Sequence, residues 1–213
     1  MLFFISENIY FCMDMAEIKD TYRTIEVLSE GIYKEKGSRF IAFAIPVKTV
    51  DEIKSHLEAY RKKYYDARHV CYAYRVGAEN EEYRYNDDGE PSGTAGKPIY
   101  GQILSKELTD VLIVVVRYFG GVKLGTGGLA VAYKEAAADA LNNNVVVEKN
   151  IQAVYRVAFS YENMNAVLQF IKAENIEVTD RNFDASCSMT CFVPKAKNAL
   201  FLAKMKEIAK IEQ

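Results

Sequence analysis

The 213-residue sequence lacks two features that would assign it to a functional class at once. No apolar run approaches the roughly 18 residues of a membrane-spanning helix, so we predict no contact with a membrane. Lys and Arg total 27 against 29 Asp and Glu, so the positive charge typical of an electrostatic nucleic-acid binder is missing. The composition, 50% hydrophobic and 26% charged, excludes a disordered tail, a coiled coil and a collagen-like chain. Any nucleic-acid binding must therefore depend on a local patch.

The cysteines also lack a pattern, because none of the four forms a CxxC pair. Cys187 and Cys191 fall in one predicted strand, where their Cα atoms would lie roughly 13 Å apart. That distance excludes a disulfide or a shared metal ion. We predict a reduced, cytoplasmic protein without a metal site or cofactor, with both cysteines in the core.

The sequence leaves open where translation begins and what structure the first 18 residues adopt. Residues 1–14 are apolar but lack the basic segment and small-residue cleavage site of a signal peptide, and Met13 and Met15 follow at once. We expect that translation begins at one of these methionines or that residues 1–18 form a frayed arm. An additional edge strand is the alternative.

Residues 19–144 show a strand-rich pattern that becomes mixed. Thr49 and Glu52 form a capping box that opens a helix. The unbroken aliphatic run 111–116 indicates a strand covered on both faces. The predicted elements are strands over 21–28, 31–36 and 38–47 in a meander, strands over 69–76, 83–86 and 111–116, and helices from Thr49, from Pro98 to about Lys106, and over 128–141.

A boundary is predicted at Asn142-Asn143-Asn144, where a helical pattern stops. Residues 145–213 then indicate the order β-α-β-β-α. This order is typical of a small α+β sandwich with both helices on one face. No closing strand after Lys210 is evident from the pattern.

The densest signal is a glycine-rich segment over 117–128, between a predicted strand and a predicted helix. Its free N–H groups and the helix N-terminus favour an anion such as a phosphate. Basic side chains in and beside the segment add positive charge. The predicted contacts are Arg117, Gly120, Gly121, Lys123, Gly125, Thr126, Gly127 and Gly128, with Arg68 and His69 nearby.

Two familiar phosphate-binding patterns fit this segment poorly. Thr126 stands where a Walker A loop requires Lys. Residues 125–130 match G-x-G-x-x-A, with Glu148 as a candidate ribose-binding acid, but several residues separate them from the preceding strand, which disfavours a Rossmann fold. The structural alternative is a turn that lets the alanine-rich helix pack tightly.

A second polar segment, the motif loop, spans residues 87–97. Its candidate residues are Asp87, Asp88, Glu90, Ser92 and Thr94. One interpretation is a solvated turn whose Ser92 or Thr94 caps the next helix. The other is a carboxylate cluster for a divalent cation, although EF-hand spacing is absent.

Two further groups leave alternatives open. His69 and Cys71 share a strand face, but residues two apart on a strand lie roughly 6.6 Å apart, which is poor geometry for proton transfer. We therefore favour a structural or binding histidine. Tyr72 and Tyr74 alternate with valines and are predicted in the core. Tyr83 and Tyr85 share a face of another predicted strand. Aromatic side chains on a sheet can stack unpaired bases, but tyrosines also fill ordinary cores.

Four segments in this order resemble the IMPACT family, and most closely its bacterial, YigZ-type members. They are Ser38-Arg39-Phe40-Ile41-Ala42, Asp66 to Tyr74, Asp87 to Gly96 and Arg117 to Leu129. The resemblance extends from about Tyr22 to the C-terminus.

This resemblance implies an α+β fold of two domains. Residues 19–144 would resemble the second domain of small-subunit ribosomal protein five, and residues 145–213 would be ferredoxin-like. Those are also the folds of domains IV and V of elongation factor G. Eukaryotic members regulate translation through a scaffold partner and carry an extra N-terminal RWD domain, which we do not expect here. The resemblance transfers no active site.

Three functional hypotheses follow. The first is a non-enzymatic regulator of translation, associated with RNA or the ribosome, that binds phosphates through residues 117–128. The second is an enzyme that acts on a phosphorylated small molecule or nucleotide with the carboxylates of the motif loop. The third is a protein-binding adaptor. The sequence leaves the oligomeric state open.

Overall fold

The computed structural model describes residues 20–78, 82–184 and 187–212, which form two α+β domains. The predicted arm over residues 1–18 lies outside the described residues. In chain order the elements are β1 Thr21–Ile25, β2 Ser29–Glu35, β3 Ser38–Pro46, α1 Val50–Lys63, β4 His69–Val76, β5 Glu82–Asn86, α2 Gly96–Ser105, β6 Val111–Tyr118, α3 Gly125–Asn142, β7 Val146–Asn150, β8 Gln152–Phe159, α4 Met164–Ala173, β9 Glu177–Phe183, β10 Cys187–Pro194, α5 Asn198–Ile208 and β11 Lys210–Glu212. None of the described helices is long and apolar enough to cross a membrane.

The larger sheet has the strand order β2-β3-β6-β4-β5, and its ladders are antiparallel. Helix α1 packs on one face and helices α2 and α3 on the other, so each face has its own apolar core. The central strand β6 is buried on both faces from Val111 to Val116, as its aliphatic run predicts. Tyr72 and Tyr74 lie in the core against α1, which confirms that prediction.

Helix α3 lies unusually close to the sheet. A Cβ atom added to Gly31 on β2 would stand 2.1 Å from the main-chain nitrogen of Ala140. Strand β2 begins at Ser29, two residues before the predicted start at residue 31, and Gly31 makes this close contact inside the strand. The predicted meander is wrong, since β1 pairs with β7 and not with β2.

The smaller sheet has the strand order β11-β8-β10-β9 and is covered on one face by α4 and α5. This β-α-β-β-α-β arrangement is ferredoxin-like. The closing strand β11 was not evident in the sequence. Cys187 and Cys191 are buried in this core, as predicted, and burial raises the pKa of the Cys191 thiol to about 11.

Candidate functional site

Residues of three sequence motifs, on the neighbouring strands β3, β6 and β4, lie side by side at one end of the larger sheet. Arg117, near the end of β6, lies opposite Phe40 on β3 and opposite His69 on β4. The motif loop leaves β5 at this same end, and the glycine-rich segment leaves β6 there. The antiparallel order therefore brings together His69 and both of the loops singled out in the sequence.

Asp87 organises the motif loop from inside. Its carboxylate accepts hydrogen bonds from the main-chain N–H groups of Gly93 (2.8 Å), Ala95 (2.9 Å) and Gly96 (2.8 Å). Helix α2 begins here, so a carboxylate from outside the helix satisfies its first donors. The prediction that Ser92 or Thr94 caps this helix is wrong. Thr94 donates its hydroxyl to the Pro91 carbonyl at 2.6 Å instead.

Asp88 joins the motif loop to strand β4. Its carboxylate accepts from the Val70 N–H at 2.7 Å and from Arg61 at 3.2 Å. Its carbonyl oxygen lies 2.7 Å from Nδ1 of His69. A carbonyl only accepts, so Nδ1 of His69 carries a proton and donates it to this oxygen.

Glu90 is the centre of a buried polar cluster. Its Oε1 accepts from Arg117 at 2.6 Å and from the Tyr133 hydroxyl at 2.8 Å, and it lies 3.8 Å from Nε2 of His69. The Arg117 and Glu90 side chains are only 8% and 3% exposed. The geometry therefore does not fit the prediction of Arg117 as a direct phosphate contact, because a carboxylate inside the protein already holds its guanidinium. Tyr133 was not predicted as part of this cluster, because nothing in the helical pattern marks its hydroxyl.

Cys71 completes this cluster as a thiol. It donates to the Asp87 carbonyl at 3.0 Å and lies 3.4 Å from the Tyr133 hydroxyl. Burial raises the pKa of this thiol well above its ordinary range, which disfavours a nucleophilic thiolate. Within residues 20–78, 82–184 and 187–212, no three His, Cys, Asp or Glu side chains are arranged to hold a metal ion.

The glycine-rich segment begins with a close backbone contact between Gly120 and the β2–β3 hairpin. The Gly120 N–H donates to Oγ of Ser38 at 3.1 Å, and a Cβ on Gly120 would stand 1.9 Å from the carbonyl carbon of Gly37. This amide is used inside the protein. The prediction that Gly120 contacts a phosphate is therefore replaced by a packing role.

The rest of the segment is open to solvent. Helix α3 starts at Gly125, earlier than predicted, so Gly125, Thr126, Gly127 and Gly128 form its first turn. The N–H groups of Gly125, Thr126 and Gly127 have no partner within the helix, and no side chain caps this turn. The N–H of Gly128 makes the first hydrogen bond of the helix, to the Leu124 carbonyl, so the predicted phosphate contact at Gly128 does not fit. Gly121 and Gly125 have φ angles of +89° and +74°, which favour glycine. No atom lies within 4 Å of a Cβ built on Gly121, Gly125 or Gly127.

Basic side chains surround this open turn. Lys123 and Arg68 are exposed and form no ion pair with any of the described residues. The hairpin tip adds Lys34, Lys36 and Arg39, which line a groove with Glu35 and Tyr118, and the Arg39 guanidinium lies 4.9 Å from the centre of the Tyr118 ring. We did not predict these hairpin cations. Their only signal was a basic strand end beside the Lys36-Gly37 turn.

Comparison with known proteins places this architecture in a defined class, that of chains with an Impact N-terminal domain, whose family model matches residues 36–141. IMPACT family member YvyE of Bacillus subtilis is 30% identical over 188 residues, covering 88% of this chain and 87% of its own. IMPACT family member YigZ of Escherichia coli is 32% identical over 177 residues, covering 82% and 87%. A solved structure of a hypothetical protein covers 91% of this chain and 98% of its own, with a TM-score of 0.70 and 29% identity. The chain belongs to the IMPACT family, as its four sequence motifs predict.

Proposed function

We propose that this chain is a non-enzymatic regulator of translation that binds phosphate groups of RNA, free or in the ribosome, through the first turn of α3. The observation that carries the proposal is the open set of main-chain N–H groups from Gly121 to Gly127, which no capping side chain occupies. Donors of this kind at a helix N-terminus suit an anion. Family membership supports the translational setting.

The charges around this turn support an extended anion rather than a single small one. Lys123 lies on the segment itself, and Lys36 and Arg39 lie on the hairpin that Gly120 contacts. Arg68 extends the same surface on the β4 side. Since the whole chain carries a net charge of −2, binding depends on this local patch and should weaken steeply with salt.

The test is fluorescence anisotropy with a labelled single-stranded RNA 12-mer and with ribosomes, between 50 and 200 mM salt. We expect Lys36→Ala with Lys123→Ala to weaken binding and to lower the salt slope by about 0.7 for each lost phosphate contact. The matched control is Lys172→Ala with Lys206→Ala, which removes the same charge from exposed positions on α4 and α5. Equal affinities for the wild type and the first variant would contradict the proposal.

A second candidate, an enzyme that acts on a phosphorylated small molecule, rests on His69. Its Nδ1 is fixed by the Asp88 carbonyl, so Nε2 is the nitrogen left to exchange a proton with a substrate, and Nε2 lies 3.8 Å from Glu90, beyond hydrogen-bond distance. A thermal-shift screen with nucleotides and sugar phosphates tests it, because a ligand at 100 times its Kd stabilises a protein by about 2.7 kcal/mol. A screen without a shift would remove this candidate.

A further inference from the structure

Three tyrosines form an aromatic surface at the outer edge of the larger sheet. Tyr83 and Tyr85 lie on β5, opposite Arg75 and Ala73 of β4, so their side chains project toward the face covered by α2. Tyr100 on α2 lies against both. Its ring centre is 5.0 Å from that of Tyr83 at an interplanar angle of 17°, and 5.8 Å from that of Tyr85 at 31°.

The tyrosines on β5 are far more exposed to solvent than Tyr72 and Tyr74, the tyrosine pair on β4. Tyr72 and Tyr74 also stack, 6.4 Å apart, but they are only 7% and 5% exposed and belong to the core. Tyr83 and Tyr85 are 56% and 42% exposed. Core packing therefore leaves about half of each ring on β5 in contact with water.

Positive charge accompanies these rings. Lys97 lies three residues before Tyr100 on α2, which places it on the same side of the helix, and it is exposed without an ion pair among the described residues. Along the register, Tyr85 lies level with Ile113 of β6 and Tyr83 with Val111, so the rings lie roughly 20–25 Å from the end of β6, where the glycine-rich segment begins. Helices α2 and α3 cover the same face. A single strand of about 12 nucleotides, at roughly 3.4 Å for each phosphate, is long enough to contact both the rings and the open turn of α3.

We infer that Tyr83, Tyr85 and Tyr100 form a stacking platform for unpaired bases of single-stranded RNA, with Lys97 beside it for the backbone phosphate. This inference rests on the proposed function and adds to it a preference for single strands over duplexes. Flat aromatic rings stack any base, whereas phosphate contacts alone do not distinguish an unpaired base from a paired one.

The experiment compares a labelled single-stranded RNA 12-mer with its duplex, using the full chain. We expect Tyr83→Ala with Tyr85→Ala to weaken binding to the single strand on the order of tenfold and to leave duplex binding nearly unchanged. Tyr83→Phe with Tyr85→Phe should keep most of the affinity, because the ring face remains. Tyr161→Ala, which removes a 74% exposed tyrosine from the other domain, is the control.

A direct readout comes from Tyr83→Trp, since the chain has no tryptophan. A stacked base should quench the emission of this single indole when the single strand binds, and the duplex should not. If the wild type binds RNA but the alanine variant binds the single strand equally well, the platform is wrong and the proposed function stands. If the wild type binds neither RNA at 50 mM salt, both are wrong.

Discussion

The motif loop and the glycine-rich segment look alike in the sequence but differ in where their polar groups point. In the motif loop the carboxylate of Asp87 binds three main-chain N–H groups, and Glu90 binds Arg117 and Tyr133. In the glycine-rich segment the N–H groups from Gly121 to Gly127 have no capping side chain, and Lys123 is exposed. The first loop therefore builds the end of the sheet, and the second is available to a ligand.

This difference shows that a polar, glycine-rich loop can stabilise a fold or expose a binding surface. A loop stabilises the fold when its polar atoms have hydrogen-bond partners inside the protein, and it exposes a binding surface when they do not. Substitutions in the motif loop should therefore change the free energy of unfolding, whereas substitutions in the open turn should change binding.

The largest expected effect comes from Glu90→Gln. Loss of the carboxylate leaves the guanidinium of Arg117 buried without a counter-charge, which costs about 3–5 kcal/mol. Urea unfolding measures this loss. The control is Glu58→Gln, which breaks an exposed pair with Lys62 and should leave the free energy of unfolding nearly unchanged. A loss below about 1 kcal/mol for Glu90→Gln would show that the cluster does not stabilise the sheet end.

The next effect separates the two parts of the glycine-rich segment. Gly120→Ala should lower the free energy of unfolding by about 2–3 kcal/mol, because the added methyl group meets the backbone of Gly37. Gly127→Ala has open space and lies in the first turn of a helix, so we expect no loss, or a small gain of up to about 1 kcal/mol. Equal changes in the free energy of unfolding for the two substitutions would contradict the distinction between the close contact at Gly120 and the open turn.

A smaller effect concerns alkaline pH. Burial raises the pKa of the Cys71 thiol above its ordinary value of 9.0, so the unfolded chain loses this proton first. The contribution of the neutral thiol to stability is complete below pH 9 and declines as the pH rises above it. Between pH 9 and pH 10 the wild type should lose about 1 kcal/mol more than Cys71→Ala. Identical pH profiles would mean that the thiol ionises normally in the folded protein.

The sequence predicted the elements with strong local patterns and missed contacts between distant residues. The span of β4, 69–76, was predicted without error, and Thr49 accepts from the Glu52 N–H at 3.2 Å, as the capping box predicts. The pairing of β1 with β7 joins segments about 125 residues apart, and no local pattern carries that information.

The candidate residues were named from the sequence, but whether they lie together and what each one contacts were not predicted. The four motifs do meet at one end of the sheet, yet the sequence could not distinguish an arginine that binds a ligand from one that pairs with Glu90. Both roles require a charged residue at a strand end. Only the path of the motif loop, which brings Glu90 to Arg117, determines which role the arginine has. In the same way, Gly120 was interpreted as an anion contact because close backbone contact has no sequence signature of its own.

The most direct test of the account follows the main-chain amides of both loops by ¹H–¹⁵N NMR while a single-stranded RNA 12-mer is titrated at 50 mM salt. We predict that the amide signals of Gly121, Gly125, Thr126 and Gly127 shift progressively with RNA, and that those of Gly93, Ala95 and Gly96, which Asp87 already binds, stay in place. Unmoved signals from residues 121–127 in a sample that binds the RNA would contradict the central claim.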